Sequence, residues 1–241
     1  MKLVIDVGNT RTKIAVFSKA NIFFYKAYNN LMNNDIEEIL TNFPDVKRAI
    51  FSTVGQTMNE LKDYLNQKIT LIDFHTELKL PINNHYLSIK TLGKDRLAGV
   101  IGANGLFPNN NCLVIDAGSC ITIDLIDKEK NYYGGSISLG LNMKYKALNT
   151  FTVSLPLLND NFCEEKLIGV NTESSIRSGV LNGTIMELKG FIDYYTKEYS
   201  DLKIIFTGGD SKILQSYFKE KTILEEHLVL MGLNIILDTN A

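Results

Sequence analysis

Apolar and polar positions along the chain run through the same order of elements twice. Lys2–Asp6, Thr12–Phe17 and Asn21–Lys26 are short runs rich in Val, Ile, Phe and Tyr, parted by turn residues. They predict three consecutive strands in a meander. Helical spacing follows at Asp35–Thr41, a strand pattern at Arg48–Thr53, a helix at Thr57–Leu65 and a strand at Ile69–Phe74. A loop with breaker residues, Pro81-Ile82-Asn83-Asn84, precedes a predicted helix at Lys94–Gly105. A second meander is then predicted at Asn111–Asp116, Ile121–Asp127 and Tyr132–Ser138, with turns at Gly118 and Lys128–Asn131. Helices at Leu141–Asn149 and Thr172–Tyr199, strand Lys203–Thr207, helix Asp210–Tyr217, strand Thr222–Leu224 and helix Glu226–Asp238 complete the second round.

The repetition reaches the level of letters. VIDVGNTRT, Val4 to Thr12, returns as VIDAGSCIT, Val114 to Thr122, 110 positions later. A period this long indicates duplicated domains and not a solenoid. Strands alternating with helices after a meander imply an α/β fold in which each domain is a mixed sheet flanked by helices. The expected division is residues 1–109 and 110–241, with the boundary in the run FPNNN at Phe107–Asn111.

Each copy ends an apolar strand in Asp and turns through Gly into a strand carrying Thr. A tight glycine turn lets backbone N–H groups converge on an anion, and a strand-end carboxylate orients the waters of a magnesium ion that bridges phosphates. Two such hairpins from two domains would hold a triphosphate between them. A single copy would be only a hairpin turn; duplication favours the phosphate reading.

Composition narrows the remaining choices. A net charge of −2 without any Lys/Arg cluster leaves no electrostatic footprint for nucleic acid. No apolar run reaches membrane-spanning length, and Met1-Lys2 leads directly into a strand, so a cytoplasmic protein without a signal peptide is expected. Cys112, Cys120 and Cys163 lack metal spacing and read as reduced thiols; His75, His85 and His227 are scattered. A participating metal should be a hard cation held by carboxylates and phosphates.

The duplicated meander resembles the actin, Hsp70 and sugar-kinase superfamily, with two tandem RNase H-like domains. Within it, DVGNTRTK, GKDR at Gly93–Arg96, DAGSCIT at Asp116–Thr122, GGSISLG at Gly134–Gly140, NTESSIRSG at Asn171–Gly179 and TGGD at Thr207–Asp210 resemble the type III pantothenate kinases, in that family's order. The resemblance implies ATP-dependent phosphorylation of pantothenate to 4′-phosphopantothenate, the first step toward coenzyme A, by a homodimer. It implies ATP contacts from Asp6, Val7, Gly8, Asn9, Thr10, Arg11, Thr12 and Lys13, and from Ser119, where the family commonly has Thr. Asp95 is implied as the base. Tyr86, Gly93, Lys94, Asp95, Arg96 and Thr172 are implied around the substrate, with Mg²⁺ at the phosphates and a monovalent cation, K⁺ or NH₄⁺, at Asp116.

Several positions carry a second reading. Lys94-Asp95-Arg96 also fits a solvated helix start, Thr172 also fits the N-cap of the long helix, and Tyr86 also fits loop packing. Cys120 reads as a small buried thiol, and Leu139 stands where the family usually has Pro. The pairs Gly134-Gly135 and Gly208-Gly209 mark places where the backbone must approach something closely, and the second pair is expected beside the nucleotide's adenosine. Ser175, Gly179 and Gly183 form a small-residue stripe that serves either packing on the sheet or a dimer contact. The rival functions are another small-molecule kinase of the superfamily and a non-catalytic nucleotide-dependent switch.

Overall fold

The computed structural model describes residues 1–53, 58–158 and 166–240. By compactness the chain divides into two units, Met1–Pro108 with Glu129–Tyr133 and His227–Ala241, and Asn109–Lys128 with Gly134–Glu226.

The first unit contains β1 (Lys2–Val7), β2 (Thr12–Ser18), β3 (Asn21–Tyr28), α1 (Asn33–Asn42), β4 (Arg48–Thr53), α2 (Asn59–Lys68), β5 (Thr70–Asp73), β6 (Asn83–Asn84) and α3 (Lys94–Leu106). Its sheet runs β3-β2-β1-β4-β5, with β1–β3 antiparallel and β4 and β5 parallel to β1. The second unit contains β7 (Cys112–Ala117), β8 (Cys120–Ile126), most of β9 (Asn131–Leu139), α4 (Leu141–Thr150), α5 (Thr172–Glu198), β10 (Lys203–Thr207), α6 (Ser211–Gln215) and β11 (Thr222–Leu224). Its strands run β9-β8-β7-β10-β11, the same order element for element. α7 (Leu228–Thr239) belongs to the first unit.

Strand β1 is buried on both faces, which is why it reads as a continuous apolar run. Leu3, Ile5 and Val7 point into a core with Ile36 and Ile39 of α1 and Leu61 and Leu65 of α2. The alternate residues, Lys2, Val4 and Asp6, point to the opposite face, where the Lys2 ammonium meets Asp238 of α7 at 2.5 Å. Helix α7 in turn packs along α3. The two helices approach so closely that a Cβ on Gly232 would stand 1.8 Å from the Ala98 carbonyl oxygen, and one on Gly102 2.3 Å from that of Leu228. Glycine here is a packing requirement, and through it α7 sets where the start of α3 lies.

The second core has the same construction. Leu113, Ile115 and Ala117 of β7 pack with Ile176, Val180 and Leu188 of α5 and with Leu141 and Tyr145 of α4.

Most predicted elements stand within one or two residues of their expected ends. The segment Asp210–Tyr217 is helical only over Ser211–Gln215, because the following N–H groups of Ser216 and Tyr217 reach back three residues instead of four. Asn83–Asn84, expected as loop, adds a short strand to the start of β9. Thr57, the expected first residue of α2, and Cys163 lie outside the described residues.

Candidate active site

The two glycine hairpins are similar but not identical. In the first, four residues, Gly8–Arg11, connect β1 to β2, and the Gly8 N–H donates to the Arg11 carbonyl at 3.1 Å. In the second, only Gly118 and Ser119 intervene, and the Gly118 N–H donates to the Cys120 carbonyl at 2.9 Å. The longer first turn shifts its register. Thr12 lies opposite Val7, whereas Thr122, its counterpart by letter, lies opposite Asp116. One residue of slip exchanges the faces of a strand. Lys13, not Thr12, therefore shares the face of Asp6.

Ladder register places Lys13, Asp6 and Ser52 in a row across β2, β1 and β4, at the carboxyl end of β1. Asp6 is 8% exposed, and burial pushes its carboxyl up to about 6; Lys13 lowers it, Asp95 raises it further and Ser52 lowers it slightly. Neither Asp6 Oδ1 nor Ser52 Oγ has a partner of hydrogen-bond geometry. Gly8 is half-buried, and Asn9, Thr10 and Arg11 form an exposed rim. Val7 and Thr12 are buried, Val7 in the core, so Val7 offers the rim only its backbone.

Asp95 reaches the electrostatic neighbourhood of Asp6 because α3 lies on that face of the unit. Gly93 is the N-cap of α3, and Asp95 Oδ1 accepts the Arg96 N–H at 2.8 Å. A Cβ at Gly93 would stand 2.6 Å from that carboxylate oxygen, so glycine is what lets Asp95 fold back over the helix start. The segment does start α3, with Asp95 in its first turn, but it is not a solvated start, since Lys94 and Asp95 are half-buried and Arg96 is 6% exposed. Its guanidinium lies 5.5 Å from the centre of the Tyr86 ring. Tyr86 and Arg96 are thus brought together. Lys94 has other neighbours: burial lowers its ammonium, Asp73 raises it and Lys62 lowers it further.

In the second unit the corresponding row is Thr122, Asp116 and Thr207, across β8, β7 and β10. Here the glycine loop closes onto the carboxylate. Gly208 is left-handed at φ 95°, and a Cβ on it would stand 2.3 Å from Asp116 Oδ1. The Asp210 N–H donates to the Ala117 carbonyl at 2.8 Å. The Gly140 N–H donates to the Ser119 carbonyl at 3.1 Å, so the Gly118-Ser119 turn is held from two sides. Gly135 likewise lies against the Ile123 carbonyl, whereas Gly209 faces open space. Leu139 simply ends β9, with nearly half its surface exposed.

Thr172 is not the N-cap of α5. That place belongs to Asn171, whose Oδ1 accepts the Ser174 N–H at 2.8 Å while Ser174 Oγ accepts the Asn171 N–H at 3.1 Å. A longer-reaching amide one residue upstream has taken the cap. Thr172, at the first helical position, instead lines an apolar cavity of about 1000 Å³ between α4 and α5. Ser175, Gly179 and Gly183 line the same cavity. A methyl on either glycine would meet nothing within 4 Å, so the stripe does not pack on its own sheet.

Among the described residues no group of His, Cys, Asp and Glu forms a metal cluster. Cys112 is a buried thiol pushed up to about 12 by burial, and Cys120 is partly buried. Two neighbours of the carboxylates were not assigned a role from the sequence: Ser52 beside Asp6, and Thr207 beside Asp116, although Thr207 opens the TGGD motif. A signal was there: the fourth strand of each round carries the same aromatic–hydroxyl pair, Phe51-Ser52 one residue before the end of β4 and Phe206-Thr207 at the end of β10.

Comparison with known proteins agrees with these features. Residues 2–194 match the family model for type III pantothenate kinase. A type III pantothenate kinase of Christiangramia forsetii is 42% identical over 242 residues, covering 100% of this chain and 99% of the relative. Among solved structures, a Baf family protein from Campylobacter jejuni aligns at TM-score 0.63 and 23% identity over 99% of this chain and 98% of its own. A glucokinase from an Antarctic psychrotroph aligns at TM-score 0.50 and 13% identity over 98% of both chains, the same fold at a greater sequence distance. The α/β architecture of two repeated mixed sheets is therefore that of the actin-like kinases, and the chain belongs to the type III pantothenate kinase family.

Proposed function

We propose that this protein transfers the γ-phosphoryl group of ATP to the primary hydroxyl of pantothenate, giving 4′-phosphopantothenate in the first step of coenzyme A biosynthesis. The observation that carries this reading is the grouping at the start of α3. Asp95, folded over Gly93 beside a buried Arg96, is also an electrostatic neighbour of Asp6. A proton acceptor, an anion-recognising guanidinium and a phosphate-end carboxylate are what the reaction requires.

Asp95 orients the substrate hydroxyl and receives its proton late, because the transition state of phosphoryl transfer is loose and little basicity is needed early. Arg96 pairs with the pantothenate carboxylate, its five donors matching a planar anion. Tyr86, Gly93, Lys94 and Thr172 complete the proposed substrate contacts. Asp6, Val7, Gly8, Asn9, Thr10, Arg11, Thr12 and Lys13 are the proposed ATP contacts of the first unit and Ser119 that of the second, with Val7 contributing backbone.

The unpartnered Asp6 Oδ1 and Ser52 Oγ fit the water shell of a magnesium ion. When bound, that ion supplies charge neutralisation to the phosphates. Asp116, with Thr122 and Thr207 beside it in register, fits a monovalent cation, K⁺ or NH₄⁺. The open apolar cavity walled by Gly179 and Gly183, with Phe151 and Val153 exposed nearby in sequence, supports a homodimer.

Asp95→Asn tests the reading. Turnover should fall at least ~1000-fold while ATP binding by calorimetry changes less than ~3-fold. A variant that keeps most of its activity sinks the base assignment.

A further inference from the structure

The segment Asn83–Tyr86 is strapped along the first residues of β9. Asn83 and Asn84 lie opposite Asn131 and Tyr132 in a parallel ladder. The Asn83 N–H donates to the Lys130 carbonyl at 2.9 Å and the His85 N–H to the Tyr132 carbonyl at 2.8 Å. Side chains repeat the clamp. Asn83 Nδ2 donates to Asn131 Oδ1 at 3.0 Å, and the His85 ring stacks on Tyr133 with centroids 4.8 Å apart. The next residue, Tyr86, lies nearly parallel to Tyr132, at 9° with centroids 6.3 Å apart.

Tyr132 is fully buried, so its ring is fixed by the core around it. Tyr86 is only half-buried and lies two residues beyond the end of β6, where its N–H donates to Asn84 Oδ1 at 3.1 Å, so the core does not fix its ring as it fixes that of Tyr132. A long flexible arginine takes its direction from the flat surface it lies against. The order of dependence therefore runs from the fixed ring to the loop ring to the guanidinium, 5.5 Å from the Tyr86 centroid.

We propose that Tyr132 is a positioning residue for anion recognition by Arg96: its ring fixes the plane of Tyr86, and Tyr86 aims the guanidinium. The inference rests on the reading of Arg96 as the contact for the substrate carboxylate. Tyr132 lies just before the GGSISLG motif, and no motif includes it.

Tyr132→Leu removes the ring and keeps an apolar side chain; Tyr132→Phe keeps the ring. Tyr132→Leu should raise KM for pantothenate about 10-fold, leave KM for ATP within about 2-fold and change kcat less than about 3-fold. Tyr132→Phe should restore the wild-type KM. Should Tyr132→Leu not fold, Tyr132→Met carries the same expectation, since a flexible thioether fills the space without a ring. A lowered melting temperature with both KM values moved equally, or not at all, would overturn the proposal in favour of a packing role. A second readout needs no substrate: the ring-current-shifted Arg96 Nε–H resonance of the free protein should move in Tyr132→Leu and stay in Tyr132→Phe. An unmoved resonance in Tyr132→Leu overturns the positioning role. A moved resonance in a protein that does not turn over pantothenate overturns the proposed substrate and leaves the positioning standing.

Discussion

Replacing Asp6 with Asn should make the ligand-free protein more stable at neutral pH and useless as a kinase. The carboxyl at the end of β1 is 8% exposed, and its pKa rises from the ordinary 3.8 to about 6, with burial the largest cause. Between those two values the folded protein holds a proton that the unfolded chain has released, so stability is greatest at acid pH and falls as pH rises through that window. Above pH 6 the folded state carries a buried charge that costs on the order of 3 kcal/mol, at 1.36 kcal/mol per pKa unit. Asparagine is neutral at every pH, and its amide can donate to the unpartnered Ser52 Oγ. At pH 8, without nucleotide or divalent cation, Asp6→Asn should therefore melt roughly 6–12 °C above wild type, taking 2–4 °C per kcal/mol for a chain of this size. The gap should close as the buffer is brought toward pH 4, where both side chains are uncharged. Thermal unfolding across pH 4–8 reads this directly. A variant no more stable than wild type at pH 8, or a gap that ignores pH, refutes the argument that Asp6 is a strained charge awaiting a cationic ligand.

Three further outcomes are expected. Gly232→Ala places a methyl 1.8 Å from the Ala98 carbonyl oxygen and should cost about 3 kcal/mol or more in chemical denaturation, because backbone cannot yield as a side chain would; a cost under 1 kcal/mol would show that α3 and α7 can part freely. Asp116→Asn should flatten the response of turnover to added potassium, and an unchanged potassium titration would remove the cation role. Gly179→Arg projects a charge into the open cavity of the second unit, where the monomer has room for it. Light scattering should then report a shift from dimer to monomer with little change in melting temperature, whereas an unchanged mass would take the dimer contact elsewhere.

Much of this was legible in the letters because strands buried on both faces write themselves as apolar runs, and β1 and β7 share the letters LVID, Leu3–Asp6 and Leu113–Asp116. What the letters concealed follows from register and from long-range packing. VIDVGNTRT and VIDAGSCIT align without a gap, yet the turns differ by one residue on the partner strand, so Lys13 and Thr122 occupy equivalent places beside the carboxylates. Alignment by letter cannot register a turn that differs in length. The roles of Ser52 and Thr207 were hidden because a hydroxyl matters only once the neighbouring strand is known to be β1 or β7. Asn171 took the cap from Thr172 because its amide reaches the Ser174 N–H, a contest between adjacent cap formers that propensity does not decide. Arg96 is buried with Tyr86 beside it, a loop residue tied to β9, and a reading of Lys94-Asp95-Arg96 as a helix start had no means to include that neighbour.

The central claim is tested most directly by ³¹P NMR of the purified protein with Mg-ATP and pantothenate in potassium buffer. The account predicts a new phosphomonoester resonance on pantothenate growing in step with ADP, and none when Asp95→Asn replaces the wild type. ADP and inorganic phosphate without that ester, or an ester formed equally well by the variant, would contradict it.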